Sequence, residues 1–190
     1  YLMAEFATGL APGWEAGVHL PVMRSGVDGP ASDSGAWGAS ALMFRLKHIR
    51  EAGRWFYGFN TEYDINARRY VEAPRSAEFR GIVGYDGERY RVTANPHLIW
   101  GWGRAGVERA PDLNLDLKAL HKASERFAWG VEAYTDGGKA NRLRPGEGDR
   151  TAYLVTEFET AQGALHLGIG RGFKETPERC LLKGVWSTRF

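Results

Sequence analysis

The sequence has little cysteine, no long apolar run and no excess of charge of one sign. Its single cysteine, Cys180, excludes an internal disulfide. No segment approaches the roughly 20 apolar residues of a membrane-spanning helix, and the mean hydropathy is -0.41. The 25 basic residues nearly balance the 23 acidic ones, so the overall charge gives no support for nucleic acid as a partner. No linker or composition shift divides the chain, which predicts one domain, residues 1–190.

Glycine and aromatic residues are abundant instead, with 25 glycines and an aromatic share of 13%. Apolar residues alternate with polar ones over short stretches. In residues 14–22 one face carries Trp, Ala, Val, Leu and Val, and the other carries Glu, Gly, His and Pro. Residues 55–65 likewise set an aromatic face against a charged one. A period of two residues is typical of β-strands that have one polar and one apolar environment.

The alternating stretches predict eleven strands, separated by gaps that alternate between short and long. Each is close to the length of a tilted membrane strand. Short turns at one end, long loops at the other and an even strand count are typical of outer-membrane barrels. We therefore predict an all-β fold, an antiparallel up-and-down transmembrane β-barrel of about twelve strands, with its first strand expected before Tyr1. The predicted strands are 2–10, 14–22, 37–47, 55–65, 77–85, 90–102, 112–120, 127–136, 151–160, 164–173 and 180–190.

Alternation also fits a soluble barrel whose apolar residues point inward around a ligand. Aromatic residues near the ends of the strands favour the membrane alternative, because amphipathic rings at both rims meet lipid headgroups. The apolar face is thus expected to contact the lipid of a bacterial outer membrane. The predicted membrane-interface aromatics are Trp14, Trp37, Trp55, Tyr57, Trp100, Trp102, Trp129, Trp186 and Phe190.

The opposite face is rich in charge and is expected to line the lumen. An Arg or Lys at mid-strand on the lipid side would cost about 2–4 kcal/mol. Glycines on the same face leave room for long charged side chains to lie across the interior. The predicted lumen-lining residues are Glu15, His19, Arg45, Lys47, Asn60, Glu62, Asp64, Glu78, Arg80, Arg91, Asn95, His97, Asp116, Lys118, Glu132, Tyr134, Glu157, Glu159, His166 and Lys183.

The last ten residues resemble the terminal strand of outer-membrane barrel proteins. Such strands typically end in Phe with apolar residues at alternate positions upstream, and Phe190, Trp186 and Leu182 fit that pattern. The resemblance implies an outer-membrane location and contact with the barrel-assembly machinery through this strand.

Other stretches extend a second resemblance over nearly the whole chain. Residues 5–10 with 14–21, 55–62, 94–96 and 167–172 are similar to a group of uncharacterised proteobacterial outer-membrane proteins. That group is related to the meta-pathway phenol-degradation family. The resemblance implies the passage of small compounds, aromatic ones included, and transfers no functional residue to this chain.

Two functions fit the charged face equally. It could form a narrow channel or transporter for small solutes, in which charge of both signs favours polar or zwitterionic ones. The same charges could instead close the lumen by cross-strand ion pairs, giving a non-conducting structural or interaction barrel. The densest cluster is predicted where Glu62 and Asp64 neighbour Glu78 and Arg80, with Arg91 beside them.

Other chemistry has weaker support. A lipid-modifying enzyme would need a nucleophile and a base near the membrane boundary, and the nearest pairs are Ser40 with His48 and Ser124 with His121. Neither pair has a recognisable third partner, so no catalytic residue is assigned. The inward histidines are expected to bind neighbouring acids, and neither a metal nor a cofactor is predicted. Loop arginines suit lipopolysaccharide phosphates, and they are Arg68, Arg69, Arg75, Arg104, Arg109, Arg142, Arg144 and Arg150.

Overall fold

The computed structural model describes residues 1–24, 37–70, 73–103, 110–143, 148–174, 176 and 179–188. The predicted interface residue Phe190 and the loop residues Arg104, Arg109 and Arg144 lie outside this part of the chain. No helix long and apolar enough to cross a membrane occurs within the described ranges.

The described residues form a single antiparallel sheet of twelve strands. The sheet runs in the order β1-β2-β4-β5-β6-β7-β8-β9-β10-β11-β12, and β3 pairs with β2 beside this path. This confirms the predicted up-and-down all-β fold. The strands are β1 (Leu2–Ala11), β2 (Trp14–Arg24), β3 (Trp37–Ala39), β4 (Ala41–Ala52), β5 (Trp55–Asn66), β6 (Arg75–Asp86), β7 (Tyr90–Trp102), β8 (Asp112–Lys122), β9 (Phe127–Lys139), β10 (Asp149–Thr160), β11 (Gly163–Lys174) and β12 (Leu181–Ser187).

The predicted strand 37–47 is divided at Ser40 into β3 and the start of β4. Both parts pair with β2, but the register shifts by one residue between His19↔Met43 and Val22↔Ala39. Pro21 lies inside this interval, where its missing N–H cannot contribute to the ladder. The Ser40 N–H instead donates to the Pro21 carbonyl oxygen at 2.9 Å. The break therefore originates in the neighbouring strand, and β4 then continues to Ala52.

Turns of two to four residues join the strands at one end, which we call the short-turn end. The turn between β1 and β2 requires a glycine at position 13. Gly13 has a φ of 75°, and a Cβ there would collide with the Ile49 carbonyl oxygen. Glycine is the residue that adopts this φ and leaves this space without strain. The connections at the other end, the long-loop end, are longer, as the sequence predicts.

In soluble proteins apolar side chains are buried and charged ones are exposed, and this chain shows the reverse. The buried residues of the described chain are mostly polar, among them Glu132 at 3% and His19 at 4% exposure. Leu120 and Val155 are the buried hydrophobic residues of this part, while Leu154 is 65% exposed. Water would penalise such an exposed apolar face, whereas lipid would solvate it.

Contacts along the chain divide it into two compact units. The first unit comprises Tyr1–Arg50, Gly58–Gly81 and His97–Asp112. The second unit comprises Glu51–Tyr57, Ile82–Pro96 and Leu113–Phe190.

Candidate functional site

The polar face of the second unit is centred on the Glu132 carboxylate of β9. Its Oε2 lies 2.7 Å from Lys183 Nζ and accepts a hydrogen bond from the Tyr134 hydroxyl at 2.7 Å. Its Oε1 lies 3.2 Å from Lys118 Nζ and 3.3 Å from His166 Nε2. The Glu132 side chain is only 4% exposed. A carboxylate buried to this extent requires charged or hydrogen-bonding partners, and here it has four.

A second carboxylate, Glu157 on β10, shares two of these partners. Glu157 Oε1 forms an ion pair with Lys118 and lies 3.2 Å from His166 Nδ1. Its Oε2 is 3.8 Å from Arg91 Nη1, the longest ion pair described in the second unit. The groups joined in this way form what we call the central network: Lys118, Glu132, Tyr134, Glu157, His166 and Lys183.

Small residues on the same face let the central network reach across several strands. Lys183 pairs with Gly168, which pairs with Val155, which pairs with Gly130. A Cβ at Gly168 would lie 3.5 Å from Lys183 Cβ and 3.2 Å from Val155 Cγ1. Without side chains at the glycine positions, the lysine stem can lie over β11 and β10 toward β9.

A cavity of about 460 Å³ opens beside the central network at the short-turn end of the second unit. We call it the short-turn cavity. Its lining contains the basic residues Arg91, Lys122 and Arg126, and Asp86 lies against the first two, with Arg91 Nη2 at 3.1 Å from Asp86 Oδ2. The acidic residues of the lining are Glu88, Glu125, Glu157 and Glu159.

The first unit has an ion-pair chain of its own. Arg45 on β4 binds two carboxylates, Glu5 of β1 at 2.6 Å and Glu15 of β2. His19 Nε2 lies 3.4 Å from Glu5. The guanidinium lies across Gly17, where a Cβ would come within 3.3 Å of Arg45 Nε. Glycine at this position lets the guanidinium lie close to the strand, and a Cβ would require Arg45 to shift by a few tenths of an ångström.

Farther along the first unit, acids and their donors occupy β5 to β7. Arg80 Nη2 and His97 Nδ1 lie 2.7 Å and 3.5 Å from the Glu78 carboxylate. The Ser76 hydroxyl donates to Asp64 Oδ2 at 2.7 Å. Each inward histidine described, His97 included, therefore lies beside an acid, as expected from the sequence.

The predicted lumen residues share one side of their strands. Apart from Glu159, which is exposed, all of them are buried or half-buried. That this side encloses water stays a prediction. The register also brings in three polar residues that the sequence analysis missed, Glu5, Asp86 and Lys122. Extending the two-residue alternation to the strand ends would have found Asp86 and Lys122, whereas Glu5 lies within the predicted strand 2–10 and pairs with His19.

Arg91 lies elsewhere than the sequence predicts. Arg91 was expected beside Glu78 and Arg80, but it contacts Asp86 and Glu157. The reason is the position of Arg91 along its strand. Arg91 follows the β6–β7 turn by one residue of strand and therefore lies beside Asp86, the last residue of β6.

Predicted interface aromatics lie near both ends of the strands. Trp14, Trp55, Tyr57, Trp129 and Trp186 are at the short-turn end, and Trp37, Trp100 and Trp102 at the long-loop end. Most are exposed, Trp55 to 57% and Trp129 to 52%.

The histidines of the enzyme hypothesis belong to this aromatic face. His48 stacks on Trp14 at 4.4 Å between ring centroids, and His121 on Trp129 at 5.7 Å. Ser40 and His48 are eight residues apart on one β run, roughly 26 Å at 3.3 Å per residue, so they cannot form a catalytic pair. Within the described ranges, no three or more His, Cys, Asp or Glu residues are arranged to hold a metal ion.

An antiparallel sheet with an exposed, aromatic-rimmed apolar face and an ion-paired polar face has the architecture of a porin-type membrane β-barrel. Among solved structures the chain is similar to that of the NanC porin, with a TM-score of 0.61 over 99% of this chain and 92% of that chain. At 10% sequence identity the likeness shows the fold. No family model and no curated protein matches the sequence. The link to the meta-pathway family therefore stays a prediction.

Proposed function

We propose that this chain forms a narrow outer-membrane channel through which small polar solutes pass along its charged face. One observation carries the proposal: charged side chains are the buried ones, and large apolar side chains on neighbouring positions are exposed. Glu132 at 3% and Leu154 at 65% exposure typify the two faces. Such a sheet is suited to lipid outside and water inside, and the porin likeness supports this orientation.

The ion-paired face would pass solutes by exchange of polar contacts. Lys118 and His166 each contact two carboxylates, so one contact can be released to a solute while the other keeps the side chain in place. Charge of both signs disfavours strong selection for ions of either sign. Small polar solutes are therefore the expected class.

A non-conducting barrel is the second candidate, because the central network is extensively bonded. Lys183 Nζ alone contacts Glu132 and the Tyr134 hydroxyl, both at 2.7 Å, and lies 5.2 Å from the Tyr134 ring centroid. Ion pairs of this kind could close the lumen.

Single-channel recording in a planar bilayer separates the two candidates. The protein is first shown to be folded by a heat-dependent shift on a denaturing gel. The channel proposal expects discrete conductance steps, altered in Lys118→Met, which removes a charge from the central network. Silence of the folded protein, with steps appearing only in Lys118→Met, would favour the closed barrel and contradict the proposal.

Outer-membrane lipid, lipopolysaccharide and the barrel-assembly machinery are the proposed partners. Arg68, Arg69 and Arg142 follow strands at the long-loop end, where guanidinium groups can bind phosphates in bidentate fashion. Fractionation of cells that express the chain should recover it with outer-membrane lipopolysaccharide. Recovery in the inner-membrane fraction would contradict this location.

A further inference from the structure

Two of the five histidines lie on the apolar face, where ionisable side chains are rare. His19, His97 and His166 are on the polar face, each beside a carboxylate. His48 and His121 instead contact aromatic rings, and neither has an ion pair in the described part of the chain. A phenylalanine could fill the same space, so the ring nitrogens indicate a partner outside the protein.

The first of these two histidines lies in a row of three rings at the short-turn end. His48 of β4 stacks on Trp14 of β2 at 4.4 Å between ring centroids, and it lies 6.0 Å from Phe59 of β5. Its Nδ1 is 3.1 Å from the Gly13 carbonyl oxygen, which can only accept a hydrogen bond. Nδ1 is therefore the donor of this contact, and Nε2 is the nitrogen left for an outside partner. We call Trp14, His48 and Phe59 the first aromatic row.

The second histidine lies in an equivalent row within the second unit. His121 of β8 lies 5.2 Å from Tyr90 of β7 and 5.7 Å from Trp129 of β9, between ring centroids. Its Nδ1 is buried and has no hydrogen-bond partner among the described residues. Buried N–H groups without an acceptor are rarer than unpaired buried acceptors, so we assign the proton of the neutral ring to Nε2. We call Tyr90, His121 and Trp129 the second aromatic row.

Both aromatic rows lie near the short turns, at the depth where aromatic rings meet lipid headgroups. Trp14 and Tyr90 are the first residues of their strands, and His121 is one residue from the end of β8. The aromatic pair Tyr63–Trp102 at the long-loop end, 6.1 Å between centroids, contains no histidine. In outer-membrane barrels the short turns face the periplasm, where the leaflet consists of phospholipid. The two histidines are thus positioned for phospholipid rather than for lipopolysaccharide.

We propose that each aromatic row binds one phospholipid of the periplasmic leaflet, with the histidine Nε2–H donating to the phosphodiester and the rings packing on the glycerol and acyl chains. The proposal rests on the proposed outer-membrane location and is independent of conduction. A phosphate oxygen is an anionic acceptor, so the hydrogen bond is charge-assisted. For His48, whose Nδ1 already donates to Gly13, this bond requires the protonated ring, which the phosphate itself stabilises.

Native mass spectrometry of protein released from detergent counts bound lipids one at a time. The protein is first shown to be folded by its heat-dependent shift on a denaturing gel. Dioleoylphosphatidylglycerol is the probe, and dioleoylglycerol, which has the same chains and no phosphate, is its control. We expect two molecules of the phospholipid to bind with an apparent Kd at least about tenfold lower than that of dioleoylglycerol. Equal binding of the two lipids would overturn the proposal.

Substitution by phenylalanine removes the ring nitrogens and keeps the aromatic row. His48→Phe and His121→Phe should each retain one tightly bound phosphatidylglycerol, and the double variant should retain none. Tyr63→Phe is the matched control, because it removes a hydroxyl group from the aromatic pair at the long-loop end, and it should still bind two. Two tightly bound lipids on the double variant would overturn the assignment. If the double variant does not fold, two bound lipids on both single variants would overturn it equally.

Failure of the location and failure of the lipid sites are distinguishable. Recovery of the chain in the inner-membrane fraction would reject the location, whereas lipid counts in detergent do not depend on it. Loss of one phosphatidylglycerol for each histidine replaced would still support the two sites. Unchanged counts would reject the sites even for a chain recovered in the outer membrane.

Discussion

Lys183 on β12 places its ammonium 2.7 Å from the Glu132 carboxylate on β9, three strands away in the sheet. A contact of this span fixes the central network across β9 to β12. It is possible because Gly168 leaves room beneath the lysine stem. Glu132 is only 4% exposed, so its charge is stabilised by protein partners more than by water. The Lys183–Glu132 pair is therefore expected to stabilise the folded protein as well as to line the polar face.

Lys183→Met tests this contribution. The variant keeps an unbranched side chain but leaves a buried carboxylate with one cation fewer, at a cost of about 1–3 kcal/mol. Urea unfolding in phospholipid vesicles measures the change. Arg54→Gln is the control, because the Arg54–Glu88 pair is largely exposed at 56% and 81%, and its midpoint should shift far less. Equal shifts for the two variants would contradict a special role for Lys183.

Gly130→Ala tests the need for close approach between β8 and β9. A Cβ at Gly130 would collide with the Ala119 carbonyl oxygen and would lie 2.8 Å from Leu120 Cα. Backbone must move to accept the methyl group, at a cost of about 1–3 kcal/mol. Gly9→Ala is the matched control, since its Cβ would meet nothing within 4 Å. Refolding yield on a denaturing gel without heating should fall for Gly130→Ala alone, and a parallel fall in both would argue against the collision.

Strands and faces are predictable from this sequence because the two-residue period is local. Residues 14–22 and 55–65 contain their whole signal within one strand, and the observed strands begin within two residues of the predicted ones, apart from the division at Ser40. That division depends on Pro21 in the neighbouring strand, which a single-strand pattern does not contain.

Ion-pair partners are less predictable, because they depend on register and on how far side chains reach. Alternation assigns Arg91 to the polar face but does not say which residue of the neighbouring strand lies beside it, so its contact with Asp86 was missed. The contacts of Lys118 with Glu157, across β9, and of Lys183 with Glu132 also need the sheet as a whole. Charge type alone cannot select among the many acids of that face.

Leu154→Arg tests the lipid contact of the exposed face. Leu154 lies in the middle of β10 and is 65% exposed, so an arginine there should cost about 2–4 kcal/mol in lipid vesicles. Leu10→Arg, on an equally exposed residue next to the β1–β2 turn, should cost about 0–1 kcal/mol because it lies near the interface. The free energies come from urea titration. A Leu154→Arg protein as stable as Leu10→Arg would contradict a bilayer on this face.

Thiol labelling at two adjacent residues tests most directly whether the polar face encloses water. In a Cys180→Ser background, Tyr153→Cys places a thiol on the polar face of β10, and Leu154→Cys places one on the apolar face. A charged, membrane-impermeant thiosulfonate reagent is added during single-channel recording. We predict that it reacts with Tyr153→Cys and lowers the conductance in a single step, while Leu154→Cys is unaffected. Reaction at Leu154→Cys, or no reaction at Tyr153→Cys in a conducting channel, would contradict the account.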